Sequence, residues 1–132
     1  MDQTTRDTVR DLHQPLILAS RVIGTPVYDR SSEKLGQVDD LSIEKTSGKT
    51  VYAIIASGGF LGLGEKLRPV PWALLDYDVE LQGYRLPFEA AAIMDAPSYD
   101  LSEIRQLGGP DHRTYGNAIY GHYGVYGAVP YW

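Results

Sequence analysis

The chain contains no cysteine in its 132 residues. Disulfides, thiolate nucleophiles, iron–sulfur clusters and cysteine-based zinc sites are therefore excluded, and the fold must be held by packing whatever the redox compartment. Basic residues are in short supply: 12 Lys and Arg stand against 17 Asp and Glu, for a formal net charge of −5. Affinity for nucleic acid comes mainly from cations that neutralise phosphates, so this balance argues against a nucleic-acid partner. No apolar run reaches the roughly 18 residues of a spanning helix. The opening Met1-Asp2-Gln3-Thr4-Thr5-Arg6-Asp7 has no signal-peptide core. These absences predict a soluble, cytoplasmic protein that does not insert into a membrane.

Catalytic patterns are missing as well. Gly59 and Gly64 are spaced as in a phosphate-binding loop, but Glu65 stands where the lysine belongs and Leu67, not Ser or Thr, follows Lys66. Gly62-Leu63-Gly64 lacks the third glycine of a dinucleotide fingerprint. Asp39 and Asp40 are adjacent in a predicted strand, where successive side chains face opposite ways, so they do not converge on one cation. Asp76 and Asp78 read as structural polar groups. Asp111-His112 and His122 offer metal donors without a third ligand at a recognisable spacing, and His13 reads as an exposed imidazole in a polar terminus. No serine occupies a Gly-x-Ser-x-Gly elbow. The sequence predicts no enzyme, no cofactor and no metal site.

What is present is one domain's worth of apolar residues, 43% of the chain against 22% charged. Residues 1–15 form a polar, flexible arm, 16–107 the globular domain and 108–132 a Gly/Tyr-rich tail. Apolar content rises at Leu16-Ile17-Leu18, where the domain begins, and Ser20 is placed to cap a short turn before Gly24. Pro26 to Asp29 reads as a strand. Leu41 and Ile43 alternate with Asp40, Ser42 and Glu44, the period of a strand buried on one face, and Thr46-Ser47-Gly48-Lys49 turns it back. The returning Val51-Tyr52-Ala53-Ile54-Ile55-Ala56 is apolar throughout, which predicts a central strand in an antiparallel hairpin. A second hairpin spans Tyr77 and Tyr84-Arg85-Leu86. Short helices are predicted at Glu89–Met94 and Leu101–Leu107, the latter capped by Asp100 or Ser102. Beyond Pro110 the repeated Tyr-Gly pairs read as low complexity, a tail that stays mobile or docks on a neighbour.

The most distinctive stretch runs from Gly58 to Trp72: four glycines in seven positions carry Phe60, Leu61 and Leu63, and then Lys66 to Val70 leads through Pro71 to Trp72. Trp72 reads as a buried structural anchor. Together with Ile23-Gly24-Thr25-Pro26-Val27-Tyr28-Asp29 and Lys34-Leu35-Gly36-Gln37-Val38-Asp39, this stretch resembles the PRC-barrel family. That family includes the cytoplasmic domain of the photosynthetic reaction-centre H subunit and the C-terminal domain of a bacterial ribosome maturation factor. The resemblance covers about Leu18 to Asp100. It implies a mainly β fold, a small PRC-type barrel of about five or six antiparallel strands with one or two short C-terminal helices.

By the same resemblance the chain is a non-catalytic protein–protein interaction or adaptor module. Its partner is an unidentified protein, and peripheral association with a membrane complex fits the H-subunit likeness. Phe60, Leu61 and Leu63 are the candidate contacts, unless they plug one end of the barrel. A small barrel with an open edge and an adhesive aromatic tail also predicts a homodimer. Two other readings stand beside this one: a small-molecule-binding protein or enzyme with a pocket at the barrel mouth near Trp72 and Tyr77, and a ribosome or RNA-processing accessory protein.

Overall fold

The computed structural model describes residues 15–57 and 66–132. A short helix α1 (Ala19–Val22) precedes strand β1 (Pro26–Tyr28), then β2 (Lys34–Ile43), β3 (Thr50–Ser57) and β4 (Lys66–Pro71). A 3-10 turn over Trp72–Leu74 leads to β5 (Asp76–Asp78) and β6 (Gly83–Arg85). Helices α2 (Ala90–Met94), α3 (Leu101–Ile104) and α4 (His112–Tyr123) follow, with a last 3-10 turn at Gly124–Tyr126.

The six strands form one sheet in the order β4-β3-β2-β1-β6-β5. Its edge strands, β4 and β5, are consecutive in the chain and joined by the turn at Trp72, so the sheet curls on itself. Among the described residues no hydrogen-bonded ladder joins β4 to β5, and the barrel is not closed by hydrogen bonds. One pairing is parallel, β1 with β6 through Val27↔Tyr84 and Tyr28↔Arg85, where an all-antiparallel barrel was expected. The parallel pair arises because two hairpins are brought side by side by β1 instead of continuing a single meander.

The central hairpin follows the apolar run. β3 is buried from Val51 to Ser57 and pairs antiparallel with both β2 and β4. Its partner β2 departs from simple alternation. The register shifts twice: Asp39 is an extra residue on β2 between Val38 and Asp40, and Val51 is an extra residue on β3 opposite Ser42 and Ile43. Val38 is fully buried and Leu41 half-buried, but Ile43 is 51% exposed, against the expectation of an inward-facing side chain. The β2–β3 turn closes with Glu44 N–H donating to Lys49 O at 2.9 Å and Gly48 in the left-handed region at φ 76°.

Two motif residues have structural work in this frame. Asp29 is 2% exposed; its Oδ1 accepts from Ser31 N–H (2.9 Å) and Glu33 N–H (2.8 Å), and its Oδ2 from Ala90 N–H (3.2 Å), tying the β1–β2 turn to α2. Gly36 lets β2 approach β3: a Cβ there would lie 1.9 Å from the Ala56 carbonyl oxygen.

The C-terminal stretch is helical over most of its Tyr-Gly pairs: they lie in α4, which packs on β4. Gly116, Ile119, Tyr120 and Tyr123 are buried, an i, i+3, i+4, i+7 stripe. Each interior glycine costs the helix about 1 kcal/mol. Burying a large apolar or aromatic side chain returns about 1.5–3 kcal/mol, so packing outweighs propensity. Gly116 is also required by shape, since a Cβ would sit 2.6 Å from the Trp132 ring. Phe88 stacks on Tyr123 and Tyr126 at 5.6 and 4.7 Å, fastening this end of the chain to the domain. α3 begins with the expected Asp100 cap: Asp100 accepts from Glu103 N–H at 2.9 Å while the Glu103 carboxylate accepts from Asp100 N–H. The α1 turn has Leu18, not Ser20, at its N-cap and no side-chain cap.

Candidate functional site

The expected contacts Phe60, Leu61 and Leu63 lie outside the described residues. At the base of that stretch, Arg68 on β4 is 6% exposed and its Nη1 donates to Ser57 Oγ at 2.5 Å. Arg68 Nε and the Tyr123 hydroxyl are buried without a hydrogen-bond partner among the described residues. Burial pushes the Tyr123 phenol well above its ordinary range, with the Arg68 charge opposing the shift. An uncompensated buried guanidinium is unfavourable, and the alternation of β4 offered no sign that this arginine would face inward.

Trp72 is half-buried, not enclosed. It belongs to the 3-10 turn between β4 and β5, so its indole leaves the strand and lies edge-on to Tyr84 at 5.6 Å, and Tyr84 in turn meets the 47% exposed Tyr77. The free side of Trp72 lines a cleft of about 290 Å³ with Glu44, Pro71, Tyr120, Pro130 and Tyr131. Tyr77 is not among the lining residues. Behind the cleft Tyr52, Tyr120 and Tyr131 converge at ring separations of 5.7, 6.3 and 6.4 Å. Their phenols are all raised, chiefly by burial; at Tyr131 the Arg113 charge opposes and the nearby Glu44 carboxylate adds to the shift. Glu44 accepts from Ser47 Oγ at 2.6 Å and has no ion pair among the described residues. A second cleft of about 350 Å³ lies between β2 and α3, lined by Asp40, Leu41, Leu101 and Arg105.

Among the described residues the most exposed apolar stretch lies where the sequence places the start of the domain. Leu16, Ile17 and Leu18 are 89%, 63% and 72% exposed, consecutive in an extended segment before α1, and Ile23 just after the helix is 41% exposed. Only Val22 of this region is buried. Among the described residues no strand pairs with this apolar run.

The remaining ionisable candidates serve the fold. His112 Nδ1 is hydrogen-bonded to the Tyr131 hydroxyl and His122 Nε2 to the Ala92 carbonyl at 2.7 Å. Asp78 is held below the usual carboxylate range, first by the Leu81 N–H and then by Arg85, whose Nη2 lies 2.8 Å away. Asp39 and Asp40 are exposed, and Asp40 accepts from its neighbour Leu41 N–H. Among the described residues no three His, Asp or Glu side chains cluster as a metal site, and no helix is long and apolar enough to cross a membrane.

No curated protein matches the chain. The family model for the PRC-barrel domain matches residues 15–90. That span begins at the exposed apolar segment and runs through all six strands to the Asp29–Ala90 contact. The chain belongs to the PRC-barrel domain family.

Proposed function

We propose that this chain is a non-catalytic protein–protein interaction module. The observation that carries the reading is the Leu16-Ile17-Leu18 strip, three consecutive large apolar side chains left in solvent. Single exposed leucines are ordinary on a protein surface, whereas a contiguous strip beside an ordered helix marks a surface that a partner covers. Phe60, Leu61 and Leu63 remain the second candidate contact. The acidic charge of −5 supports a protein partner over a nucleic acid.

The same strip serves a homodimer better than strand pairing would. Edge strand β4 carries Pro69 and Pro71, which cannot donate to a new ladder, and its Leu67 is already bridged to Tyr99; edge strand β5 is three residues long. A dimer therefore forms through side chains around Leu16–Leu18. The test is sedimentation of the full chain and of a Leu16→Ser/Ile17→Ser/Leu18→Ser variant, with affinity capture from the native cell using both. Retained folding with loss of the dimer or of a specific partner is the expected result. A wild-type chain that stays monomeric at high micromolar concentration and captures nothing specific overturns the reading.

A second reading, ligand binding, is favoured by the aromatic cleft beside Trp72. Its 290 Å³ lies at the lower limit of small-molecule pockets, which favours one inserted side chain over a whole cofactor.

A further inference from the structure

The cleft beside Trp72 has a chemistry of its own. It is lined by Trp72, Tyr120 and Tyr131, and by Pro71 and Pro130, whose rings have little freedom to collapse into it. One carboxylate, Glu44, opens into this aromatic setting, near enough to Tyr131 to disfavour its ionisation. Glu44 is half-buried, its Oε1 is engaged by the neutral Ser47 hydroxyl, and it has no cationic partner within the described residues. A half-buried carboxylate with aromatic residues around it and no ion pair among the described residues attracts a cation through two interactions at once, a charge-assisted hydrogen bond and a cation–π contact.

We propose that this cleft receives one arginine side chain of a partner protein, with the guanidinium stacked between Trp72 and Tyr131 and hydrogen-bonded to Glu44. The inference rests on the interaction-module reading above and names the recognition chemistry of one of its contacts. Arginine fits better than lysine because a planar, weakly hydrated guanidinium can stack and fork to a carboxylate together, whereas an ammonium keeps its water. The volume suits one long side chain better than a whole ligand of drug size. The pairing has a counterpart beside the cleft, where Arg113 sits 5.6 Å from the ring of Trp132, itself 5.0 Å from Tyr131. Lys49 also borders the cleft, but its side chain is exposed and no ion pair joins it to Glu44, so it can swing into solvent as the guest arrives. The net charge of −5 steers a basic partner toward the domain.

The test titrates the full chain with N-acetylargininamide and its uncharged isostere N-acetylcitrullinamide, following the two tryptophan indole N–H resonances by NMR. Two tryptophans, Trp72 and Trp132, make the assignment simple. The expected result is saturable movement of the Trp72 signal at roughly millimolar concentration, the range of a single anchor. The citrulline compound is at least about tenfold weaker, and Glu44→Gln weakens arginine by a similar factor. Glu33→Gln, a carboxylate outside the cleft lining, leaves binding unchanged. Equal response to citrulline, an unaffected Glu44→Gln variant, or shifts confined to Trp132 would overturn the proposal. So would stronger binding of N-acetylprolinamide, which assigns the cleft to an uncharged segment. Because the probe is a single amino-acid amide, these outcomes are read independently of partner capture: a silent cleft with a captured partner sinks only this proposal, and a responsive cleft without one sinks only the module reading.

Discussion

Replacing Gly36 by alanine tests whether a glycine is needed there for the close approach of β2 to β3. The added methyl would stand 1.9 Å from the Ala56 oxygen and 3.0 Å from its carbonyl carbon. Carbon–oxygen contacts between strands settle near 3.3–3.6 Å, so β2 and β3 must separate locally by about 1.4 Å or tilt apart. The obstacle is backbone, not a side chain that can rotate away, and it lies beside Val38 and Ile55, both with no exposed surface. Overpacking of this kind costs about 1–3 kcal/mol. Weakening two or three ladder hydrogen bonds adds about 0.5–1.5 kcal/mol each. The expected loss is therefore about 2–7 kcal/mol, comparable at its upper end to the whole stability of a marginal domain. Urea unfolding followed by circular dichroism measures it, with Gly48→Ala as the comparison. Gly48 has φ 76° and nothing within 4 Å of a Cβ, so that variant suffers only left-handed strain of about 1–2 kcal/mol. If Gly36→Ala were no more destabilised than Gly48→Ala, the close-approach argument would be wrong.

Trp72→Ala should cost about 2 kcal/mol, below the roughly 3–5 of a fully enclosed tryptophan, because the indole is half-buried; a chemical-denaturation loss above about 4 would contradict its half-open position. Arg68→Met should leave stability unchanged or raise it by about 1–2 kcal/mol, since it removes a buried guanidinium whose Nε has no partner among the described residues. A thermal-melt loss equivalent to more than about 2 kcal/mol would mean that Arg68 has a compensating acceptor. Tyr52, Tyr99, Tyr120, Tyr123 and Tyr131 are raised above the ordinary phenol range, first of all by burial. The folded state thus holds these protons more tightly than the unfolded one, and the associated stability is complete below a pH of about 10 and lost as pH climbs toward the folded values. Tyrosinate absorbance should show a late step coinciding with loss of circular dichroism; titration of all ten tyrosines with the fold intact would refute this.

The elements readable from sequence were those in which one local pattern decides the outcome. The unbroken Val51–Ala56 run marked β3, and Pro26-Val27-Tyr28 marked β1. Ile43 departs from the period-two reading at the last position of β2, where the partner strand carries the extra residue Val51 opposite Ser42 and Ile43. Leu16-Ile17-Leu18 carries the composition of a buried segment, and nothing local says that no strand lies alongside. At the C-terminus the repeated Tyr-Gly pairs drew attention to glycine's low helix propensity. The stripe Gly116, Ile119, Tyr120, Tyr123 was present at helical spacing and decided the matter once a surface was available. Of the candidate cleft only Trp72 stood out in advance. Glu44, Tyr120 and Tyr131 come from distant positions and meet it through the fold, which no linear spacing reveals.

The parallel contact of β1 with β6 also governs how quickly the domain assembles. It joins Val27 to Tyr84, while β2, β3 and β4 are neighbours both in the chain and in the sheet. Closing a long intervening loop carries an entropic cost that is repaid only once both ends are in place, so such contacts form late and limit the rate. The three-strand meander therefore condenses first. If registry of β1 against β6 is the committing step, destabilising β6 should slow folding more than it accelerates unfolding.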